Sequence, residues 1–450
     1  MMKSVNPFNG QLLYEFEELN EPQINQKIEA AHKVHLSWKN TTFSERSILM
    51  HEAANVLRNN KEDFGKIITL EMGKPITQAI AEVEKCAWVC EYYAHNAEDF
   101  LKNELIETDA IKSYVSYEPL GVVFAVMPWN YPFWQVFRFA APGLMAGNTA
   151  ILKHASNVMK CGETIQKVFE LAGFPKDVFI NLPIKSDKVE NIIKNPLVKA
   201  VTLTGSKPAG SMVASTAAKE IKKSVLELGG NNAFIVCKDA DLEKAVSTAV
   251  NARYQNTGQS CIAAKRLLLH EAIADEFLEK YINAIKEKKS GDPLDEETYI
   301  GVMAREDLAK ELESQVNDSV AKGAKVLLGG KREKAYFEPT VLTNVTEDMP
   351  VFKEETFGPV IAVVTFKTLE EAITISNNSD FGLGVSIFTK DIAGFEAHIS
   401  KFNEGAVFVN DMVKSDPRLP FGGVKISGFG RELSHHGIKE FVNMKTVYIN

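Results

Sequence analysis

Four short stretches carry residue types from which carbonyl chemistry could be assembled. "GQSCIAAKR" (258–266) surrounds Cys261 with small residues, after a helical pattern and before an apolar strand pattern. Taken alone, such a cysteine is a buried filler, half of a disulfide, a metal ligand or a nucleophile. "LELGGNNAF" sets Glu227 between leucines and ahead of two glycines. A carboxyl in such apolar surroundings has a raised proton affinity and suits a base working near neutral pH, although a buried structural acid fits the same stretch. "MPWNYP" puts Asn130 among aromatics in a loop after a strand, able to donate its amide to a developing oxyanion or merely to shape a turn beside proline. "VTLTGSKPAG" reads as a strand, then Thr204-Gly205-Ser206, then a helix with Pro208 in its first turn. Backbone N–H groups and the positive helix end could receive a phosphate there, but the full GxGxxG spacing is missing and an ordinary turn reads the same way. Together, a thiol, a carboxylate, an amide donor and a phosphate-type turn are the parts needed to attack a carbonyl, remove hydride and hydrolyse an acyl enzyme.

The elements that must position these parts are those of an α/β protein. Apolar runs at 121–127, 149–153, 200–205 and 232–237 alternate with helical patterns, as a mostly parallel sheet covered on both faces requires. "KVLLGG", "VIAVVTF", "LEEAITISNN" and "AVFVN" continue the alternation into a second α/β unit. In "REDLAKELESQVNDSVAKG", Leu308, Leu312, Val316 and Val320 form an i, i+4 stripe and Gly323 is a stop signal, so an amphipathic surface helix is expected. "IKSYVSYEP" (111–119) and the final "KTVYIN" are strand candidates whose exposed edges invite pairing with another chain.

Composition narrows the function classes. The chain has 450 residues, 45% of them hydrophobic, enough for two or three domains. With 51 Lys and Arg against 59 Asp and Glu, the net charge of −8 argues against a nucleic-acid partner. The N-terminus lacks an apolar run of signal-peptide length, so a cytoplasmic location is expected. The stretch 121–152 holds one charge, Arg138, but Pro128, Pro132 and Pro142 interrupt it, and it reads as buried strand, loop, helix and strand, with no membrane partner. Five cysteines make an odd count without zinc-finger spacing, so neither a disulfide framework nor a metal site is expected; Cys86 and Cys90, one helical turn apart, read as helix packing.

From "NPFNGQLL" near residue 6 to "MKTVY" near the end, the chain resembles the aldehyde dehydrogenase superfamily. The motifs "MPWNYP", "LTGS", "LELGGN", "NTGQSC", "EETFGPV" and "PFGGVKISGFGRE" occur in the family's order, and Glu227 and Cys261 stand 34 residues apart, as they do in that family. "LEMGKP", "RYQNTGQ" and "SGFGRELSHHG" look like the short bacterial succinate-semialdehyde dehydrogenases. The resemblance implies a Rossmann-type cofactor domain (1–105 and 119–228), an α/β catalytic domain (229–431), and a small oligomerisation element (106–118 and 432–450) that makes a homodimer or homotetramer. It makes Cys261 the nucleophile, with Asn130 and the Cys261 backbone N–H as the oxyanion hole. Glu227 becomes the group that activates the deacylating water. Glu355 would bind the nicotinamide ribose, Lys153 the adenine-side ribose, and Gly205 and Ser206 the pyrophosphate, with Thr204, Trp129 and Phe357 also at the cofactor.

NAD-preferring relatives commonly carry Glu three residues after that Lys; this chain has Ser156 there. A carboxylate would repel a 2′-phosphate, so NADP is expected to be preferred and NAD also used. Arg138, with Trp134 one turn before it, needs a buried partner, either a structural carboxylate or the substrate's own. The semialdehyde dehydrogenases share Arg138 and Ser415, which implies that these residues bind the distal carboxylate of succinic semialdehyde. Many also have Arg six residues before the nucleophile, where this chain has Gln255. Oxidation of another small or carboxylated aldehyde is the neighbouring alternative. Transfer of the acyl group to coenzyme A is disfavoured by Glu227, which as a hydrolytic base would waste the thioester.

Overall fold

Two mostly parallel sheets, each covered on both faces, frame the protein, whose computed structural model describes residues 1–450. In the first sheet the strands run in the spatial order Gly428–Phe429, Lys223–Glu227, Val198–Thr204, Val122–Met127, Thr149–His154 and Phe179–Asn181. All six residues of Thr149–His154 are buried, the near-continuous apolar pattern of a strand packed on both sides. The chain leaves Val122–Met127 toward Phe179–Asn181, then crosses back to Val198–Thr204. That reversal opens a crevice at the carboxyl ends of Val122–Met127 and Val198–Thr204, the place where open α/β sheets take ligands. "MPWNYP" and "TGS" lie at those two ends.

The stretch 121–152 is the buried strand, loop, helix and strand that its prolines suggest, with helix Trp134–Met145 buried at every position. No helix is long and apolar enough to cross a membrane. The second sheet has the order Lys325–Leu328, Thr340–Thr343, Val360–Phe366, Ala264–His270, Asn232–Val236, Val385–Phe388 and Val407–Val409. Cys261 precedes Ala264–His270, so it stands at that strand's amino end.

Two expectations shift. Helix Glu306–Ala321 buries Ala309, Leu312, Val316 and Ser319, while Leu308 is half-buried and Val320 lies on the surface. A strict four-residue step advances 400° per step, so a stripe drawn through 308, 312, 316 and 320 drifts off the buried face. Of 432–450, assigned to the small hairpin element, only Val442–Ile449 forms a strand there, paired along its length with Lys112–Pro119. Residues 432–441 instead return to the first sheet's core, where Leu433, Ile438 and Phe441 are buried.

Helix Ile76–Leu101 fills one flank of that core, with Cys86 and Cys90 fully buried on its inner face. Its Glu82 pairs with the equally buried Lys74 and accepts the N–H groups of Phe133 (2.9 Å) and Trp134 (3.0 Å). One carboxylate thus caps the helix Trp134–Met145 and neutralises a buried ammonium, which also lies 3.7 Å from the Tyr131 ring centre. Glu82→Ala strips both partners at once. It should lower unfolding free energy by about 3–5 kcal/mol, read by urea titration, and a loss below about 1 kcal/mol would show that the pair carries little stability.

Candidate active site

A cleft of about 380 Å³ lies between the crevice of the first sheet and the amino edge of the second. Of the residues singled out from sequence, Trp129, Asn130, Thr204, Gly205, Ser206, Cys261, Glu355 and Phe357 line it. Trp129 and Phe357 meet edge to face, 5.6 Å between ring centres. Glu227, Lys153, Ser156, Trp134, Arg138, Ser415 and Gln255 lie outside this lining.

The turn that presents Cys261 is built from three successive left-handed residues, Asn256 (φ 54°), Thr257 (φ 55°) and Gly258 (φ 72°). That conformation costs a non-glycine residue roughly 1–2 kcal/mol, and here hydrogen bonds hold it. Asn256 Nδ2 donates to the carbonyls of Asn130 (2.8 Å) and Gln259 (3.0 Å), its N–H donates to Gln78 Oε1 (2.7 Å), and Thr257 Oγ1 accepts from Gly301 N–H (3.1 Å). Gly258 also leaves no room for a side chain, since a Cβ there would sit 2.4 Å from the Gly358 carbonyl oxygen. The same network fixes Asn130, whose Nδ2 donates one hydrogen to the Gln259 carbonyl (3.1 Å) and keeps a second free of protein partners. The Cys261 N–H has no partner in the protein either. Two N–H donors therefore stand free beside one thiol.

Sequence reasoning missed Lys265. Its ammonium is fully buried and donates to the Ser260 carbonyl (2.8 Å), the Cys261 carbonyl (2.9 Å) and Glu355 Oε1 (2.8 Å). The only sequence signal was a charge at the start of an otherwise apolar strand pattern. Burial pushes the Cys261 thiol up to about 11; Lys265, then Arg138, pull it down, while Glu355 and Glu227 push it further up. Asn232 Nδ2 also donates to the Cys261 carbonyl (2.9 Å), so the main chain at Cys261 is held twice.

Glu227 ends strand Lys223–Glu227 and is fully buried, with neither carboxyl oxygen hydrogen-bonded. Burial, reinforced by the nearby Glu432, holds its proton affinity well above the usual carboxylate range against the pull of Arg138 and Arg431. Gly422 presses on it, and a Cβ there would meet Glu227 Oε1 at 2.6 Å. Arg138, expected on the substrate's carboxylate, is instead paired with the buried Glu432, donates to Thr204 Oγ1 (3.2 Å) and lies 4.6 Å from the Phe421 ring centre. Of its two possible partners, the structure supplies the structural carboxylate. Trp134 and Ser415 do come together, Nε1 donating to Oγ at 3.0 Å. Gln255 caps helix Leu242–Tyr254, and its side chain makes no hydrogen bond.

Features toward a dinucleotide are also present. No side chain caps helix Lys207–Lys219, whose N-cap Ser206 opens at the cleft. Lys153 is buried with neither a carboxylate nor a hydrogen-bond partner, and Ser156 is exposed on the turn just beyond it. Glu355 also accepts the Gly230 N–H (3.0 Å), which fixes its carboxyl at the cleft wall.

Residues 1–447 match the aldehyde dehydrogenase family. The chain belongs to that family. It is 47% identical to a probable NADP-dependent succinate-semialdehyde dehydrogenase of Synechocystis sp., covering 99% of both chains. It is 44% identical to succinate-semialdehyde dehydrogenase [NADP(+)] 1 of Mycobacterium tuberculosis, again over 99% of both. Among solved structures, succinic semialdehyde dehydrogenase of Streptococcus pyogenes in complex with NADP+ superposes with a TM-score of 0.97 at 34% identity, over the whole of both chains.

The opposed charges around Cys261 make a signed prediction for the cofactor-free enzyme. Lys265→Met should slow alkylation of Cys261 by iodoacetamide at fixed pH and move its pH dependence upward. Glu355→Gln, which leaves Lys265 unopposed, should speed it and move the dependence downward. Shifts in the same direction in both variants would refute a direct field of these groups on the sulfur.

Proposed function

We propose that this aldehyde dehydrogenase oxidises succinic semialdehyde to succinate, with NADP preferred and NAD also accepted. The observation that carries the reading is the convergence of the Cys261 thiol, its unpartnered N–H and the free hydrogen of the Asn130 amide on one cleft. Full-length similarity to enzymes named for this substrate supports the choice of aldehyde.

Cys261 as thiolate attacks the aldehyde carbon, and the developing oxyanion takes hydrogen bonds from its own main-chain N–H and the Asn130 amide. The residues present fit the nicotinamide dinucleotide. The uncapped start of helix Lys207–Lys219 with Gly205 and Ser206 would hold its pyrophosphate, Lys153 and Ser156 the adenine ribose with its 2′-phosphate, and Glu355 the other ribose. Trp129 and Phe357 wall the cleft beside Glu355. When bound, that group supplies the two-electron acceptor for the oxidation. Cys261 then carries a thioester, and Glu227 takes a proton from the water that releases the acid. A carboxyl held above its ordinary range is matched to this task, because it is basic enough to take that proton.

The preference for NADP rests on Lys153, a buried cation lacking an anion in the protein, and on the absence of a carboxylate at Ser156. We place the enzyme in the cytoplasm, where its five free cysteines stay reduced. A dimer or tetramer joined through the small sheet fits the surface-exposed Leu105, Ile111 and Met444 there.

Steady-state rates should favour succinic semialdehyde over butanal, and NADP over NAD, each by at least about tenfold in kcat/KM, roughly 1.4 kcal/mol. A tenfold preference for NAD would overturn the cofactor assignment, and turnover by Cys261→Ala at the parental rate would overturn the mechanism. Arg138→Met removes the cation that restrains Glu227 and strands Glu432. The acid limb of kcat should move to higher pH with both aldehydes. A loss confined to the carboxylated aldehyde would return Arg138 to the substrate.

A further inference from the structure

Lys85, on the inner side of helix Ile76–Leu101, is a half-buried ammonium to which no carboxylate of the protein is committed. The acids around it are all engaged. Glu82, one turn earlier, is held by Lys74 and two backbone N–H groups, and Glu84 is held by Lys61. Asp416, on the facing loop, takes both oxygens to Arg418 at 2.8 and 2.6 Å. Arg138, on the helix packed opposite, is a second cation and is itself paired with Glu432.

What Lys85 does touch is neutral. Its Nζ donates to Ser415 Oγ at 2.9 Å and lies 4.2 Å from the centre of the Trp134 ring, whose Nε1 donates to the same Oγ at 3.0 Å. A hydroxyl oxygen that accepts twice has its own hydrogen free to donate. The cluster therefore offers a cation and an O–H donor with no anion to receive them, which is the complement of a carboxylate. It lies behind the cleft lining rather than in it: Trp134 follows the Asn130 loop, its neighbour Gln135 lines the cleft, and Arg138 exerts its field on both Lys85 and Cys261.

Resting on the reading of the substrate as a carboxylated aldehyde, we propose that Lys85, with the Ser415 hydroxyl, binds the distal carboxylate. Arg138 is thereby left to its buried pair. Burial and the Arg138 charge bring the Lys85 ammonium down to about 8, so its charge fades as pH rises through that value. Arg138, Glu82 and Asp416 are the charged groups that face it.

The test compares kcat/KM for succinic semialdehyde and for butanal, with NADP, in the full enzyme and in Lys85→Met and Lys85→Arg. Lys85→Met should cost at least about tenfold on the semialdehyde and less than about twofold on butanal, with Lys85→Arg recovering most of the loss. In the parent the semialdehyde-to-butanal ratio should fall as the pH passes about 8, and in Lys85→Met it should stay flat. An equal loss on both aldehydes, or an unchanged preference in Lys85→Met, would overturn the assignment while leaving the proposed function standing. A parent enzyme with no preference for the semialdehyde would instead overturn the proposed function.

Discussion

Excluding water from a group that must become charged is the constraint around which this centre is organised. In the proposed mechanism Cys261 reacts as a thiolate, yet burial raises its proton affinity. The structure meets this with fixed charge rather than with hydrogen bonds to sulfur. Lys265 grips the Cys261 carbonyl, Arg138 adds a second positive field, and Glu355 and Glu227 oppose them. Each cation is itself balanced, Lys265 by Glu355 and Arg138 by Glu432. The resting thiol thus stays largely protonated, the form that oxidants attack slowly.

The same constraint explains the buried acids flanking the site. Glu82 and Glu71 each accept two backbone N–H groups at the start of a helix, Trp134–Met145 and Met159–Leu171 respectively. Helix Trp134–Met145 packs on Val122–Met127, one of the two strands whose carboxyl ends form the crevice, and Met159–Leu171 packs on the neighbouring strands Thr149–His154 and Phe179–Asn181. A cleft built of loops is precise only if the rigid elements behind those loops cannot drift. The left-handed turn at Asn256–Gly258 has the same logic, since its unfavourable backbone is over-determined by bonds to Gln78, Asn130 and Gly301.

Much of this was legible in the sequence. The strands at 122–127, 149–154, 198–204 and 232–236 follow from apolar runs because both faces of each sheet are covered, and the cleft residues follow from motif order. What escaped was long-range pairing. Lys265 meets a carboxylate 90 residues away, and nothing local marks it as more than a charge before a strand. Arg138 announced that it needed a partner, but only the return of 432–441 into the core shows that the partner is Glu432. The stripe through Val320 failed for a geometric reason, because apolar spacing alone does not say where a buried face ends.

Arg138 and Lys85, on helices packed against each other, are thus given different surroundings by their partners. A cation paired within the core, such as Arg138, acts as a constant field: neither a ligand nor bulk water reaches its counter-ion, so its influence on Glu227 and Cys261 is the same for every aldehyde. A cation left with neutral neighbours, such as Lys85, has its electrostatic interaction still unmade, and in the proposed reading the substrate carboxylate completes it. Discrimination requires the second kind, because an interaction already satisfied in the free enzyme cannot differ between competing substrates. Separating the two lets the catalytic field stay fixed while the recognising charge remains free to respond to what enters.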